Sequence, residues 1–237
     1  MHTIDRDFPL IVDQKALLAT QGDNFSKLLQ RHPAIARKFD AILAGLPISY
    51  RPQLVWDRFT IKDISGDSFE LANGLHIGGG PVIQVMKEAT SVILGMCTIG
   101  MAMDQKIDQF NHDDDLMSAI LLDGVASYLV DQVREAFFQR ITSKLAEQGL
   151  YSSIPLCPGE SAWEITDHAT FFELLNPAQI GMTLKSSMLM IPMKSLSFMI
   201  GVSGVKFSLM GVQRCDFCSM QYKCRHAQKE SGQKLCH

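Results

Sequence analysis

One stretch limits the fold more than any other. Between Asp113-Asp114-Asp115 and Gly149, the residues Met117, Leu121, Val125, Leu129, Val133, Phe137, Ile141 and Leu145 recur every fourth position. This spacing predicts one helix over residues 116–148. The acidic run would cap its N-terminus and favour the positive end of its dipole, and Gly149 would stop it. A step of four residues advances about 40° around a helix axis. The apolar stripe therefore winds, and no single flat sheet can cover all of it. Different neighbours must cover the two ends.

The flanking segments supply those neighbours. Residues 1–47 read as helical: Asp13 can cap a short helix through Leu17 and Leu18, and Asp23 or Asn24 can cap another carrying Phe25 to Leu43. Pro33 should begin, kink or split the second, and Gly45 and Pro47 should end it. From Leu54 the pattern becomes extended. Val55, Phe59, Ile61 and Ile64 lead into the turn Ser65-Gly66-Asp67-Ser68, and Phe69, Leu71, Leu75 and Ile77 return, as in a hairpin. Gly78-Gly79-Gly80 reads as a tight turn. It lacks the order and the following Gly-Lys-Ser/Thr of a phosphate cradle. Pro81 then suits the first turn of a short helix. Residues 91–99 form a continuous apolar run, expected as a buried strand. Residues 154–159 are a proline-bracketed loop, and Thr166 or Asp167 can cap a helix through Leu175. Three short extended segments follow, at 180–184, 188–191 and 196–202. Met182, Met188, Met190, Met193 and Met199 crowd this region and read as adaptable core filling. Strands separated by long helices argue for an α+β architecture.

Composition narrows the function. The 237 residues are 46% hydrophobic and 20% charged, enough apolar material for a packed core. Lys and Arg number 22 against 25 Asp and Glu, a net charge of −3, which argues against a whole-chain nucleic-acid binder. No uninterrupted apolar run of about 18 residues predicts a membrane span. The N-terminus has no basic start with an apolar run, so a cytoplasmic location is expected. The lone histidines His76, His112 and His168 read as surface or capping groups.

Cysteine placement is the sharpest chemical signal. Cys97 and Cys157 stand alone, whereas Cys215, Cys218, Cys224 and Cys236 fall in the last 23 residues, spaced C-x2-C-x5-C-x11-C. A cytosolic chain rarely keeps disulfides, so clustered thiols read as metal ligands or redox groups. Two thiolates of a C-x2-C turn can clamp one metal or one cluster edge. Zinc would take Cys236, His226 or His237 as its fourth ligand; an iron–sulfur cluster, such as a 4Fe-4S, would take the four thiolates. Free redox thiols are the third reading. The tail from Gly211 carries five basic residues against Asp216 and Glu230, a local +3 that reads as a solvated tail or as a patch steering an acidic partner protein or a nucleic acid.

The order of several short motifs adds a family. Cys97-Thr98-Ile99-Gly100 closes a strand. Leu121-Leu122-Asp123-Gly124-Val125-Ala126 lies early in the long helix, and Cys157-Pro158-Gly159 forms a loop. His168 to Leu175 (His-Ala-Thr-Phe-Phe-Glu-Leu-Leu) follows, then Gly181-Met182-Thr183-Leu184 and residues 188–197. Over roughly residues 54–205 this resembles the activation (reactivation) domain of vitamin-B12-dependent methionine synthase, closest to its stand-alone relatives. The resemblance implies a C-shaped α+β domain with a central, mostly antiparallel sheet. It also implies S-adenosylmethionine binding and docking onto a cobalamin-bearing partner, a corrinoid methyltransferase such as methionine synthase. There, cob(II)alamin is reduced by an external electron-donor protein and remethylated.

The division that results is a helical extension over 1–50, an activation-like domain over 51–210 and a cysteine-rich tail over 211–237. The family's ligand loop reads Arg-x-x-Pro-Gly-Tyr. Here Pro158 and Gly159 match, but Pro155 holds the arginine position and Glu160 the tyrosine position. Proline offers no donor to a carboxylate that an arginine would grip in two places. Pro158, Gly159 and Glu160 are nevertheless the candidate cofactor-binding residues. Cys215, Cys218, Cys224 and Cys236 are the candidate metal ligands. The family's need for a low-potential electron favours iron–sulfur over zinc, which has no redox chemistry. A methyltransferase with a rewired loop and a zinc-stapled docking module remain the alternatives.

Overall fold

The chain opens as a strand where the sequence predicts helix. Thr3–Asp5 (β1) lies antiparallel on the later segment 53–65, with Ile4 opposite Val55. Three residues are too few to show a period of their own; the sheet edge and an ion pair from Arg140 to Asp5, 2.6 Å long, hold them. The computed structural model describes residues 2–22, 24–160, 162–209, 211–212 and 214–217, and the structural statements below concern these.

Three helices follow. Gln14–Thr20 (α1) is capped as expected, with the Ala16 amide donating to the Asp13 carboxylate at 3.0 Å. Pro33 splits the next run into Phe25–Arg31 (α2) and Pro33–Ser49 (α3). Gly45 and Pro47 do not end α3, which continues through Ser49. Burial of Leu46 holds this last turn on the core, and the Tyr50 amide closes it on the Leu46 carbonyl. Pro47 loses only one ladder bond so close to the terminus.

Gln53–Ser65 (β2) turns at Gly66 into Ser68–Leu71 (β3), and His76–Ile77 (β4) extends the hairpin. After Val82–Met86 (α4), the apolar run becomes Ser91–Thr98 (β5), every residue of which is buried. Ile93 and Cys97 enter one core and Val92, Leu94 and Met96 the other, because successive side chains point to opposite faces. With both faces covered, the strand reads as an unbroken apolar run.

Met101–His112 (α5) is a helix that sequence periodicity did not reveal. It buries only Met103 and Asp104, so its apolar stripe is too thin to stand out. Leu116–Glu147 (α6) then runs for 32 residues. Its cap is Asp115, which accepts from the Ser118 amide, and Gly149, at φ 72°, follows its end. From Leu121 to Leu145 its winding stripe is buried, with different neighbours towards its two ends, while Met117 at its start is exposed. At the start, Lys38 of α3 bonds the Asp115 carboxylate at 2.5 Å, and Gln21, next to α1, bonds the Gly124 carbonyl. Further on the sheet takes over: the Phe137 ring lies 5.4 Å from Trp56 and 5.6 Å from Phe198. By length and composition α6 could also cross a bilayer, but its apolar side chains serve this core.

Tyr151–Ser152 (β6), His168–Leu175 (α7), Thr183–Leu184 (β7), Met190–Ile191 (β8) and Ser195–Ser203 (β9) complete the fold. The main sheet has the order β4-β3-β2-β5-β9-β6 with β1 against β2, all antiparallel, while β7 and β8 form a separate ribbon. Met182 and Met199 fill the core as expected, whereas Met193 is exposed.

Candidate functional site

The loop between β6 and α7 is stitched to the sheet before it turns. Ser153 donates its amide to the Gly201 carbonyl and accepts the Gly201 amide on Oγ, at 2.9 and 2.8 Å. Leu156 exchanges both backbone bonds with Met199. The chain then reverses at Pro158-Gly159, with Gly159 at φ 86°, a conformation that favours glycine. The turn closes on itself. The Gly159 amide donates to the Trp163 carbonyl at 2.8 Å, Glu160 to Cys157 at 3.1 Å and Trp163 to Glu160 at 2.9 Å.

Trp163 is the pivot of the loop. Its ring is buried, and its indole N–H donates to the Asp167 carboxylate at 2.7 Å. The same carboxylate oxygen accepts the Gly78 amide at 2.9 Å. Asp167, one of the two residues expected to cap α7, holds its N-cap position, but its side chain makes no capping bond and ties the loop to the glycine run. That run explains its own composition: a Cβ at Gly79 would stand 3.0 Å from the Trp163 ring. His168, expected as a surface or capping group, is buried, with Nδ1 2.9 Å from the Met188 carbonyl oxygen.

A cation lies beneath the turn. Arg134 projects from α6 and is 1% exposed. Its Nη1 is 3.7 Å from the Cys157 sulfur, and Nη2 donates to the Asp131 carboxylate. Nε is buried without a hydrogen-bond partner among the described residues. Burial opposes the guanidinium charge, but Cys157, Asp131 and Glu160 outweigh it, so its pKa lies above the ordinary arginine value. Sequence reasoning missed this residue. The signal was an arginine that continues the row Leu122, Ala126 and Val130, which flanks the apolar stripe.

Pro158, Gly159 and Glu160 thus come together in one turn above Arg134. Leu156, Cys157, Glu160 and Trp163 pack against Pro81 and Val82 with no space between them that would admit a water molecule. Pro155 offers no donor, and the amides of Gly159, Glu160 and Trp163 are bonded within the loop.

The metal candidates fare differently. The backbone of Cys215 lies in the single turn Arg214–Phe217, and Phe217 packs against the core that contains Trp163. Cys218, Cys224 and Cys236 lie outside the described residues. Among the described residues, no group of three or more His, Cys, Asp or Glu side chains is placed to hold a metal. Cys97 and Cys157 are buried and not disulfide-bonded.

The fold is an antiparallel sheet crossed by one long helix, with a self-closed loop bonded to β9. A solved structure of the MetH reactivation domain bound to AdoHcy matches with a TM-score of 0.58 at 19% identity, covering 86% of this chain and 72% of that one. The family model for the activation domain of vitamin B12 dependent methionine synthase matches residues 83–215, more than half of the sequence, and the chain belongs to that family. No curated protein matches the sequence.

Proposed function

We propose that the protein reactivates a corrinoid methyltransferase in trans, docking on its cobalamin-bearing part and relaying electrons through an iron–sulfur cluster on the C-terminal cysteines. The family match over residues 83–215 carries this reading, because it spans β5, α6, the loop and β9 and ends at the first cysteine of the tail. Methionine synthase is the partner the family favours. In the proposed step an electron-donor protein loses one electron and the partner's cob(II)alamin gains it. Cys215, Cys218, Cys224 and Cys236 would hold the cluster, which supplies single electrons at low potential when bound. Four thiolates in a short basic tail fit that demand by donor type. The reading places the protein in the cytoplasm, where such thiols stay reduced.

Anaerobic purification tests it. The expected product is a brown protein containing iron and sulfide, with a paramagnetic signal on reduction that Cys218→Ala removes. Mixed with a cobalamin domain and a reductant, it should deplete the cob(II)alamin absorption. A colourless protein holding one zinc would sink the relay and favour a stapled docking module.

Binding of S-adenosylmethionine, which the family suggests, is a second reading. The AdoHcy-bound reactivation domain of the same fold supports it, and Pro155 in the place of the family's arginine opposes it. Calorimetry decides: no heat at millimolar ligand removes it.

A further inference from the structure

The helices α3, α5 and α6 do not close on one another. A half-open cavity of about 310 Å³ lies between them, walled by Ile42, Leu46, Met103, Phe110 and Leu122. Its size suits a small organic molecule, and its lining is apolar with few polar groups.

Gly45 shows that the space is kept open from within a helix. It lies in α3, takes no positive φ, and a Cβ added there would meet nothing within 4 Å. Glycine inside a helix weakens it, and here no turn or close approach demands one. Ala41, Gly45 and Ser49, spaced by four on α3, all line the cavity.

The charges at the rim are unequal. Lys38 is matched, with its ammonium 2.5 Å from the Asp115 carboxylate and 3.3 Å from the Ser118 hydroxyl. Lys106 has a neutral partner, the Gln109 side-chain oxygen at 3.0 Å, and lies 4.8 Å above the Phe110 ring. The cavity thus offers an apolar interior and one cation without an acidic partner among the described residues.

We propose that this cavity binds a free amphipathic monocarboxylate, with its apolar body against Ile42, Leu46 and Met103 and its carboxylate at Lys106. The proposal is independent of the reactivation reading, since neither the loop nor the cysteine tail takes part.

The test is calorimetric titration of the full chain with decanoate, with decan-1-ol as the neutral counterpart. Decanoate is expected to bind one to one and at least fivefold more tightly than the alcohol. Lys106→Met, a surface change that leaves the fold intact, should abolish that preference. Gly45→Leu should fill the cavity, remove binding of both probes and raise the melting temperature. Absence of decanoate binding, equal binding of both probes, or binding that survives Gly45→Leu would overturn the proposal. Competition by phosphatidylglycerol vesicles would assign the cavity to a bilayer lipid and would likewise overturn it.

Discussion

Arg134 shows what one buried charge demands of its surroundings. Its guanidinium has an acceptor at Nη2, a thiol at Nη1 and none among the described residues at Nε. Truncation would remove the ion pair with Asp131 and open a void in the core. Arg134→Ala is expected to cost about 3 kcal/mol in urea unfolding, and Arg134→Met less than half of that, because it keeps the volume. Asp115 behaves oppositely. Hydrogen bonds from Lys38 and then Ser118 hold its carboxyl down at about 2, against an ordinary 3.8. A lowered folded-state pKa stabilises the fold above the unfolded value and is lost as pH falls through the folded one. Stability should therefore decline between about pH 4 and about pH 2, and Asp115→Asn should flatten that limb in urea titrations across the range. Burial pushes the Cys97 thiol up to about 12, so it carries almost no thiolate at neutral pH. Native alkylation followed by mass spectrometry should leave Cys97 unlabelled.

At the scale of elements, the β5–β9 pairing is the most sensitive joint. Gly95 stands opposite Phe198, and a Cβ on it would come within 2.3 Å of that ring. The ring is buried against Phe137 and has no room to swing away. Gly95→Ala should cost about 2 kcal/mol, read from the urea midpoint at unchanged slope. The elements legible in the sequence were those whose own pattern exceeded the noise. The α6 stripe, the β2–β3 hairpin and the buried run of β5 all carried their period or composition locally. β1 and α5 did not. The first exists through its neighbour strand, and the second lays few apolar residues on α6. The tail of α3 survives Pro47 because tertiary packing of Leu46 overrides local propensity.

At the scale of the whole molecule, the N-terminal helices share a core with the sheet. Leu17, Phe39 and Leu46 lie in one cluster with Ile93, Val125 and Phe198. A single cooperative melting transition is therefore expected by calorimetry, with equal calorimetric and van't Hoff enthalpies. Two separable transitions would show that residues 1–50 fold apart from the rest. The candidate site was legible only in part. Pro158-Gly159 could be placed as a turn because proline and glycine announce their conformations. Arg134 and Asp167 reach that turn from α6 and from the far side of the loop, through contacts no local window contains. The closure of the turn bears on kinetics. Were S-adenosylmethionine to bind at this turn through the amides of Gly159, Glu160 and Trp163, which are already occupied, it would have to wait for the chain to release them. Its observed association rate would then level off with rising concentration, at the pace of the protein's own opening.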